Sequence, residues 1–456
     1  MIIPVIFGTA WLTGCADTRS FPPEESYAAL ARQNRREPNP VIVIPGILGS
    51  KLVDDASGRV VWGSFGTDAI HHRSAAGRRA LALPMRKGTS LTSLTDDVRV
   101  DGTLGRLSLA PGLGVNAYAR LLKALAIGGY RPENKGGTNT GEHLTCFEFG
   151  YDWRKSNATN AAALDDFIHE KTRLIQADSL RRHGVRKEVK FDIVAHSMGG
   201  LLARYYLMYG RQPLPTDGLH PQVTWAGTKH VKRLIQVGSP NGGSVQAIQQ
   251  MRNGMALNPL LPKFQSAVIG TFPSVYELLP RSIDRPLVDS SGKSIDPLDA
   301  AVWEKYGWGL ADPTQDRYLQ QLLPDIADPA ERRIIALDHQ RKALESAKAF
   351  QAALDCRCHL PAGVEMHTFY GDAVETDSRY QADSFGRITA ISKLPGDGTV
   401  TRRSAMLSAP DGGPGPIPWT SRHPIHASHM TLPVRPEFIH SLLPLLLNLP
   451  ESHTQP

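Results

Sequence analysis

Residues 192–200 read DIVAHSMGG and run straight into LLARYYLMYG. An apolar, β-branched run that stops at a serine between small residues and passes at once into a helix-like segment has the pattern of a nucleophile elbow. In such a turn the serine sits on strained backbone between strand and helix. The residues two before and two after it must be small, because neighbouring elements pass close by. Here those positions hold Ala195 and Gly199, giving A-x-S-x-G in place of G-x-S-x-G, and alanine still fits. A serine hydroxyl is a weak nucleophile at its own pKa. The reading therefore requires a histidine base and an acid to orient it.

In the α/β-hydrolase fold the three groups follow the chain order Ser, Asp or Glu, His. The C-terminal third supplies both partners for Ser197. LPGDGTV at 394–400 places Asp397 in a glycine-flanked loop, where a carboxylate can project without crowding. SRHPIHASHMTLP then offers His423, His426 and His429, any of which can lie in the last loop before a C-terminal helix, and His429 is preferred. Near the start, VIVIPGILGSKL at 41–52 runs from a continuous apolar strand into Pro45, Gly46 and Gly49. Such a loop can aim N–H groups at a developing oxyanion. The expected donors are the amides of Ile47 and of Met198, the residue after the nucleophile.

Together, PGILGSKL, FGYDWR at 149–154, AHSMGG at 195–200, VGSPNGGS at 237–244, FPSVYELLP at 272–280, GDGTV at 396–400 and HMTLP at 429–433 resemble one family closely. It is the lecithin:cholesterol acyltransferase family, which includes lysosomal phospholipase A2 and the phospholipid:diacylglycerol acyltransferases. The motifs occur in that family's order over about residues 40–440. HSMGG is shared by many lipases, whereas PGILGSKL with YDWR is far more specific. The resemblance implies transfer of an acyl chain from a phospholipid or other lipid ester to a serine, then to water or an alcohol. By position it assigns Ser197 as nucleophile, Asp397 as acid, His429 as base, and Ile47 and Met198 as oxyanion donors. Eukaryotic members carry His-x-x-Met, whereas Met430 directly follows His429 here, which keeps His426 as the alternative base.

The expected architecture is an α/β-hydrolase fold: a mostly parallel central sheet, helices on both faces and an inserted cap. Strands are expected at 41–44, 145–149, 189–195, over VKRLIQVG and over EMHTFYGD, with helices at 116–127 and about 158–182, the latter closed by Gly184. The core divides into residues 39–243 and 356–456. Two hundred residues separate Ser197 from Asp397, more than the core requires, so residues 244–355 are expected to cap the site. Trp303, Tyr306 and Trp308 in that cap suit acyl-chain contact or an interface, with packing onto the core as the simpler account. Asp152 and Arg154 are expected to form a structural bidentate pair. Trp153 fits either an acyl pocket or the core. The basic positions among residues 71–87 (His71, His72, Arg73, Arg78, Arg79, Arg86, Lys87) suit anionic headgroups or a solvated loop.

The first residues, MIIPVIFGTAWLTGC, resemble a bacterial lipoprotein signal ending in a lipobox, with Cys15 as the acylated residue, although no Lys or Arg precedes it. Residues 1–15 are then a signal peptide and 16–38 a polar, proline-containing linker. The resemblance implies export and a membrane anchor, and the alanine after Cys15 leans towards the outer membrane. If Cys15 is lipidated, Cys146, Cys356 and Cys358 allow one disulfide at most. Cys356, Cys358 and His359 are spaced too tightly for a metal site, so no metal and no cofactor are expected. A net charge of +7 over 456 residues, without dense basic and aromatic stripes, argues against nucleic acid and allows attraction to an anionic membrane surface. The expected partners are thus a lipid ester and a membrane surface, with no obligate protein partner evident. Two rival readings use the same scaffold: an esterase for soluble esters, and a catalytically silent lipid-binding lipoprotein.

Overall fold

Strong β-formers cluster in short runs, wholly apolar at Val41–Ile44, and such runs fit strands covered on both faces. The computed structural model describes residues 38–448 except 65, 105–106, 111–112, 116, 134–144, 216–220, 256–262 and 410–412. The signal-like segment with Cys15 lies outside the described residues. In chain order the strands are β1 (Val41–Ile44), β2 (Ser50–Asp54), β3 (Val60–Trp62), β4 (Val98–Thr103), β5 (Leu107–Ala110), β6 (Leu113–Val115) and β7 (Cys146–Glu148). They continue with β8 (Phe191–His196), β9 (Val231–Val237), β10 (Leu287–Asp289), β11 (Glu365–Gly371), β12 (Val374–Ala382), β13 (Ile388–Gly396) and β14 (Ser421–Ile425).

Six of these form the central sheet in the order β14-β11-β9-β8-β1-β7, and every neighbouring pair is parallel. Alternation along each strand sorts its side chains between two helical layers. Val41, Val43, Val194, Ile235 and Phe369 pack with Leu121 and Leu125 of the helix Ala117–Ile127 and with Phe438 and Leu442 of the helix Pro436–Leu447. Ile42, Ile44, Ile193 and Leu234 pack instead with Leu164 and Ile168 of the helix Asn157–His183 and with Leu201 and Tyr205 of the helix Met198–Tyr209. The long helix starts at Ser156, whose hydroxyl accepts from the Ala158 amide, and stops at Gly184 in the left-handed region at φ 71°. From β1 the chain steps to β7 on one side, then crosses to β8 and continues outward on the other. A parallel sheet binds ligands beyond the carboxyl ends of its strands at such a reversal, which here is where β1 and β8 end.

The described residues among 245–354 are mostly helical, ending in the long helix Pro329–Leu354. Strand β10 of this stretch pairs with β12, and β12 with β13, so the hairpin 374–396 joins it across the boundary expected at 355. Trp303 and Trp308 are completely buried, edge to face at 5.9 Å, and their indole N–H groups donate to the Pro297 and Gly386 carbonyls. They are packing residues. Trp153 is likewise core, between Trp62 and Phe272. Asp152 and Arg154 form the expected bidentate pair at 2.9 and 2.8 Å, and Asp96 adds a contact of 2.7 Å to the same guanidinium. Within the basic segment, Arg78 is tied to Gln321 at 2.6 Å and lies over the Tyr318 ring. Cys146, Cys356 and Cys358 are all free thiols, and burial pushes the Cys146 thiol up to about 12.

Candidate active site

Ser197 is the turn residue between β8 and the helix Met198–Tyr209, with φ 52° and ψ −127°. A non-glycine residue at positive φ is strained, and that strain turns its Oγ out of the sheet plane. The close neighbours explain the small residues around it. A Cβ on Gly199 would lie 2.3 Å from the Pro45 carbonyl oxygen, and one on Gly200 would lie 1.8 Å from Ser239 Oγ.

Asp397 follows β13 in a tight turn. Its Oδ1 accepts from the amides of Thr399 (2.9 Å) and Val400 (2.7 Å), which anchors the carboxylate and leaves Oδ2 for one further donor. That donor is His429 Nδ1 at 2.8 Å, and the His429 amide also donates to the Asp397 carbonyl at 2.9 Å. With Nδ1–H committed to Asp397, His429 Nε2 is left to accept from Ser197 Oγ at 2.9 Å. The three residues predicted from sequence are thus brought into one hydrogen-bonded chain. His426 is exposed and lies 3.0 Å from Asp372, away from Ser197. His423, on β14, bonds to Ser421 and stacks on Phe369 at 4.4 Å.

The loop after β1 faces the same point. Leu48 at φ 65° and a Gly49 amide donating to the Gly46 carbonyl curl it so that Ile47 lines one cavity with Ser197 and His429. No described residue accepts from the Ile47 amide. Met198 opens the helix after Ser197, so its amide stands at the electropositive helix N-terminus. The cavity holds about 280 Å³ and is walled chiefly by Leu48, Leu104, Ala247, Met255, Leu278, Val400 and Met430. Residues 244–255 and Leu278, within the expected cap, supply one side of it.

Several contributors were not singled out from sequence. Gly238, at φ 61°, leaves no room for a side chain, since a Cβ there would lie 3.3 Å from both Asp397 Oδ2 and His429 Nδ1. Gly371 backs the acid in the same way, with a Cβ position 2.5 Å from that of Asp397. Both glycines end parallel strands, in the VGSPNGG and FYGD segments, and that position was the available signal. Tyr118, buried behind the serine, carried no signal of its own, and His196, buried beside it, was seen only as part of the AHSMGG motif and given no role. Glu277 is fully buried, accepts from Ser156 Oγ and from the amide and side chain of Asn157, and is pushed up by burial to about 7. Among the described residues no group of three or more His, Cys, Asp or Glu is placed to hold a metal ion, and no helix is long and apolar enough to cross a membrane.

The family model described as "Lecithin:cholesterol acyltransferase" matches residues 107–312, a span that contains Ser197 and ends before Asp397. Lecithin-cholesterol acyltransferase-like 4 of Arabidopsis thaliana is 26% identical over 269 residues, covering 53% of this chain and 43% of that protein. Putative phospholipid:diacylglycerol acyltransferase 2 of the same plant is 24% identical over 245 residues, covering 50% of this chain and 32% of that protein. The matched part of the chain therefore spans less than half the length of these curated relatives. Among solved structures, "The crystal structure of Tle4-Tli4 complex" superimposes with a TM-score of 0.58 over 91% of this chain and 99% of that one at 18% identity, which shows a shared fold. The chain thus has an α/β-hydrolase fold and, over residues 107–312, is similar to the lecithin:cholesterol acyltransferase family.

Proposed function

We propose that the chain is a serine-dependent lipid acyl-ester hydrolase or O-acyltransferase working through an acyl-serine intermediate. The observation that carries this reading is the hydrogen-bonded chain Ser197–His429–Asp397 opening into an apolar cavity. His429 Nε2 takes the Ser197 proton as Oγ attacks the ester carbonyl carbon. Asp397 holds the ring and stabilises its positive charge. The oxyanion is met by the amides of Ile47 and Met198. The tetrahedral species collapses as His429 returns the proton to the departing alcohol, a lysophospholipid when the donor is a phospholipid. An acyl ester of Ser197 remains. A second acceptor, water or an alcohol, then loses its proton to His429 as it attacks the acyl ester, and His429 returns that proton to Ser197 Oγ as the C–Oγ bond breaks and the acyl group leaves on the acceptor. Similarity to lecithin:cholesterol acyltransferases supports a lipid donor, and the apolar walls suit an acyl chain.

The reading extends to location. Cys15, at the end of a lipobox-like LTGC, anchors the exported chain to a membrane leaflet, close to the substrate surface. In that case Cys15→Ala releases the protein from the membrane fraction, and persistence of the anchored form excludes Cys15 as the attachment point.

The test is protein lacking residues 1–15, incubated with mixed phospholipid vesicles with and without a long-chain alcohol, beside a Ser197→Ala control. Serine-dependent lysophospholipid supports the hydrolase, and acylated alcohol in addition makes it a transferase. Cleavage of a short soluble ester alone replaces the lipid reading with that of a soluble esterase.

A further inference from the structure

Behind the serine runs a second hydrogen-bonded chain whose direction is fixed by chemistry. The Gly46 amide donates to the Tyr118 hydroxyl oxygen at 2.9 Å. That hydroxyl lies 2.8 Å from His196 Nδ1, and His196 Nε2 lies 3.1 Å from the backbone carbonyl of His429. A carbonyl oxygen only accepts, so Nε2 carries the hydrogen. A neutral imidazole has one N–H, which leaves Nδ1 as acceptor and Tyr118 as its donor. The chain therefore reads Gly46 N–H to Tyr118 O–H to His196 Nδ1, then His196 Nε2–H to His429 C=O. Both linking side chains are buried.

We propose that Tyr118 and His196 are positioning residues that tie the loop bearing the Ile47 amide to the backbone of His429, an inference resting on the reading of Ser197, His429 and Asp397 as an acyl-transfer site. One end fixes Gly46, directly before the expected oxyanion donor. The other clamps the carbonyl of the base, whose amide is already held by Asp397. The oxyanion donor and the base thereby keep a set separation on either side of Ser197, which is what in-place attack on a carbonyl requires. Neutrality of His196 belongs to this role. Its ring centre is 4.9 Å from that of His429, and burial, aided by the His429 charge, lowers it to about 3. It therefore stays uncharged while His429 becomes positive during acyl transfer.

The test uses a fluorophosphonate that traps an activated serine, together with kcat and KM on a soluble short-chain ester, so that it does not depend on a lipid substrate. Tyr118→Phe removes the donor to His196, and His196→Leu removes the whole link. Each is expected to lower kcat and the trapping rate about 10- to 100-fold with KM within about twofold. His196→Gln keeps an amide N–H near the Nε2 position and is expected to regain most of the loss at a melting temperature like that of His196→Leu. A packing residue would show no such rescue. The proposal is overturned if Tyr118→Phe and His196→Leu are trapped at the unaltered rate, or if His196→Gln is as slow as His196→Leu. If the unaltered protein is not trapped at all, the reading of the site itself falls and the positioning role with it.

Discussion

At the scale of single residues, the site is built by turn chemistry and by steric exclusion. Ser197 is held at positive φ between residues too small to obstruct it, and Asp397 is fixed by two backbone amides before it meets His429. Asp397→Asn keeps the shape and loses the charge that orients the imidazole, so kcat should fall about 10⁴-fold. His426→Ala should leave kcat within about twofold of the unaltered enzyme, because its ring faces solvent and Asp372. Steady-state kinetics on a soluble ester checks both. Gly371→Ala should depress activity and melting temperature together, since the added methyl meets Asp397 at 2.5 Å. Ser197, Asp397 and His429 were legible because each sits in a locally encoded turn: A-x-S-x-G, G-D-G, and a loop before a final helix. Tyr118 was not legible, because its importance arises from the fold bringing residue 118 behind residues 46 and 196, and nothing in its own neighbourhood signals that approach.

At the scale of elements, the continuous apolar run VIVI marked β1, β-branched stretches broken by a few polar residues marked β8 and β9, and Gly184 marked the end of the helix Asn157–His183. The hairpin β12–β13 escaped notice because β13 is an edge strand exposed along most of its length, with no apolar alternation to betray it. The start of the Asn157–His183 helix carries a separate prediction. Glu277 is buried against the first turn of that helix and titrates near 7 because burial disfavours its charge more than the donors from Ser156 and Asn157 favour it. The folded state then holds a proton that the unfolded chain, titrating near the ordinary carboxylate value, has released. Stability attributable to this group is therefore full below the unfolded pKa. It falls as pH rises through the window up to about 7, by on the order of 3 kcal/mol in all. Denaturant unfolding at pH 5 and pH 8 should show that decline, and Glu277→Gln should flatten it. An unchanged slope in the variant would assign the pH dependence to other groups.

At the scale of the whole molecule, a parallel sheet flanked by two helical layers aims the ends of β1, β8, β11 and β14, and the turn after β13, at one cavity, and residues 244–255 and Leu278 wall it from the other side. The separation of Ser197 from Asp397 led to the expectation of an insertion at 244–355. Its partnership with the β12–β13 hairpin could not be read, because strand pairing between distant segments leaves little trace in either one. An apolar cavity opening beside exposed Met430 suits substrate drawn from an aggregate. The rate on phospholipid should accordingly rise when the same lipid passes from monomers to vesicles. Peptide mass mapping after acid quench of the protein mixed with phosphatidylcholine vesicles asks whether the acyl chain passes through Ser197. A fatty-acyl ester is expected on the peptide carrying Ser197, absent from Ser197→Ala, which should also form no lysophospholipid. Lysophospholipid appearing at an unchanged rate in Ser197→Ala would contradict passage through Ser197.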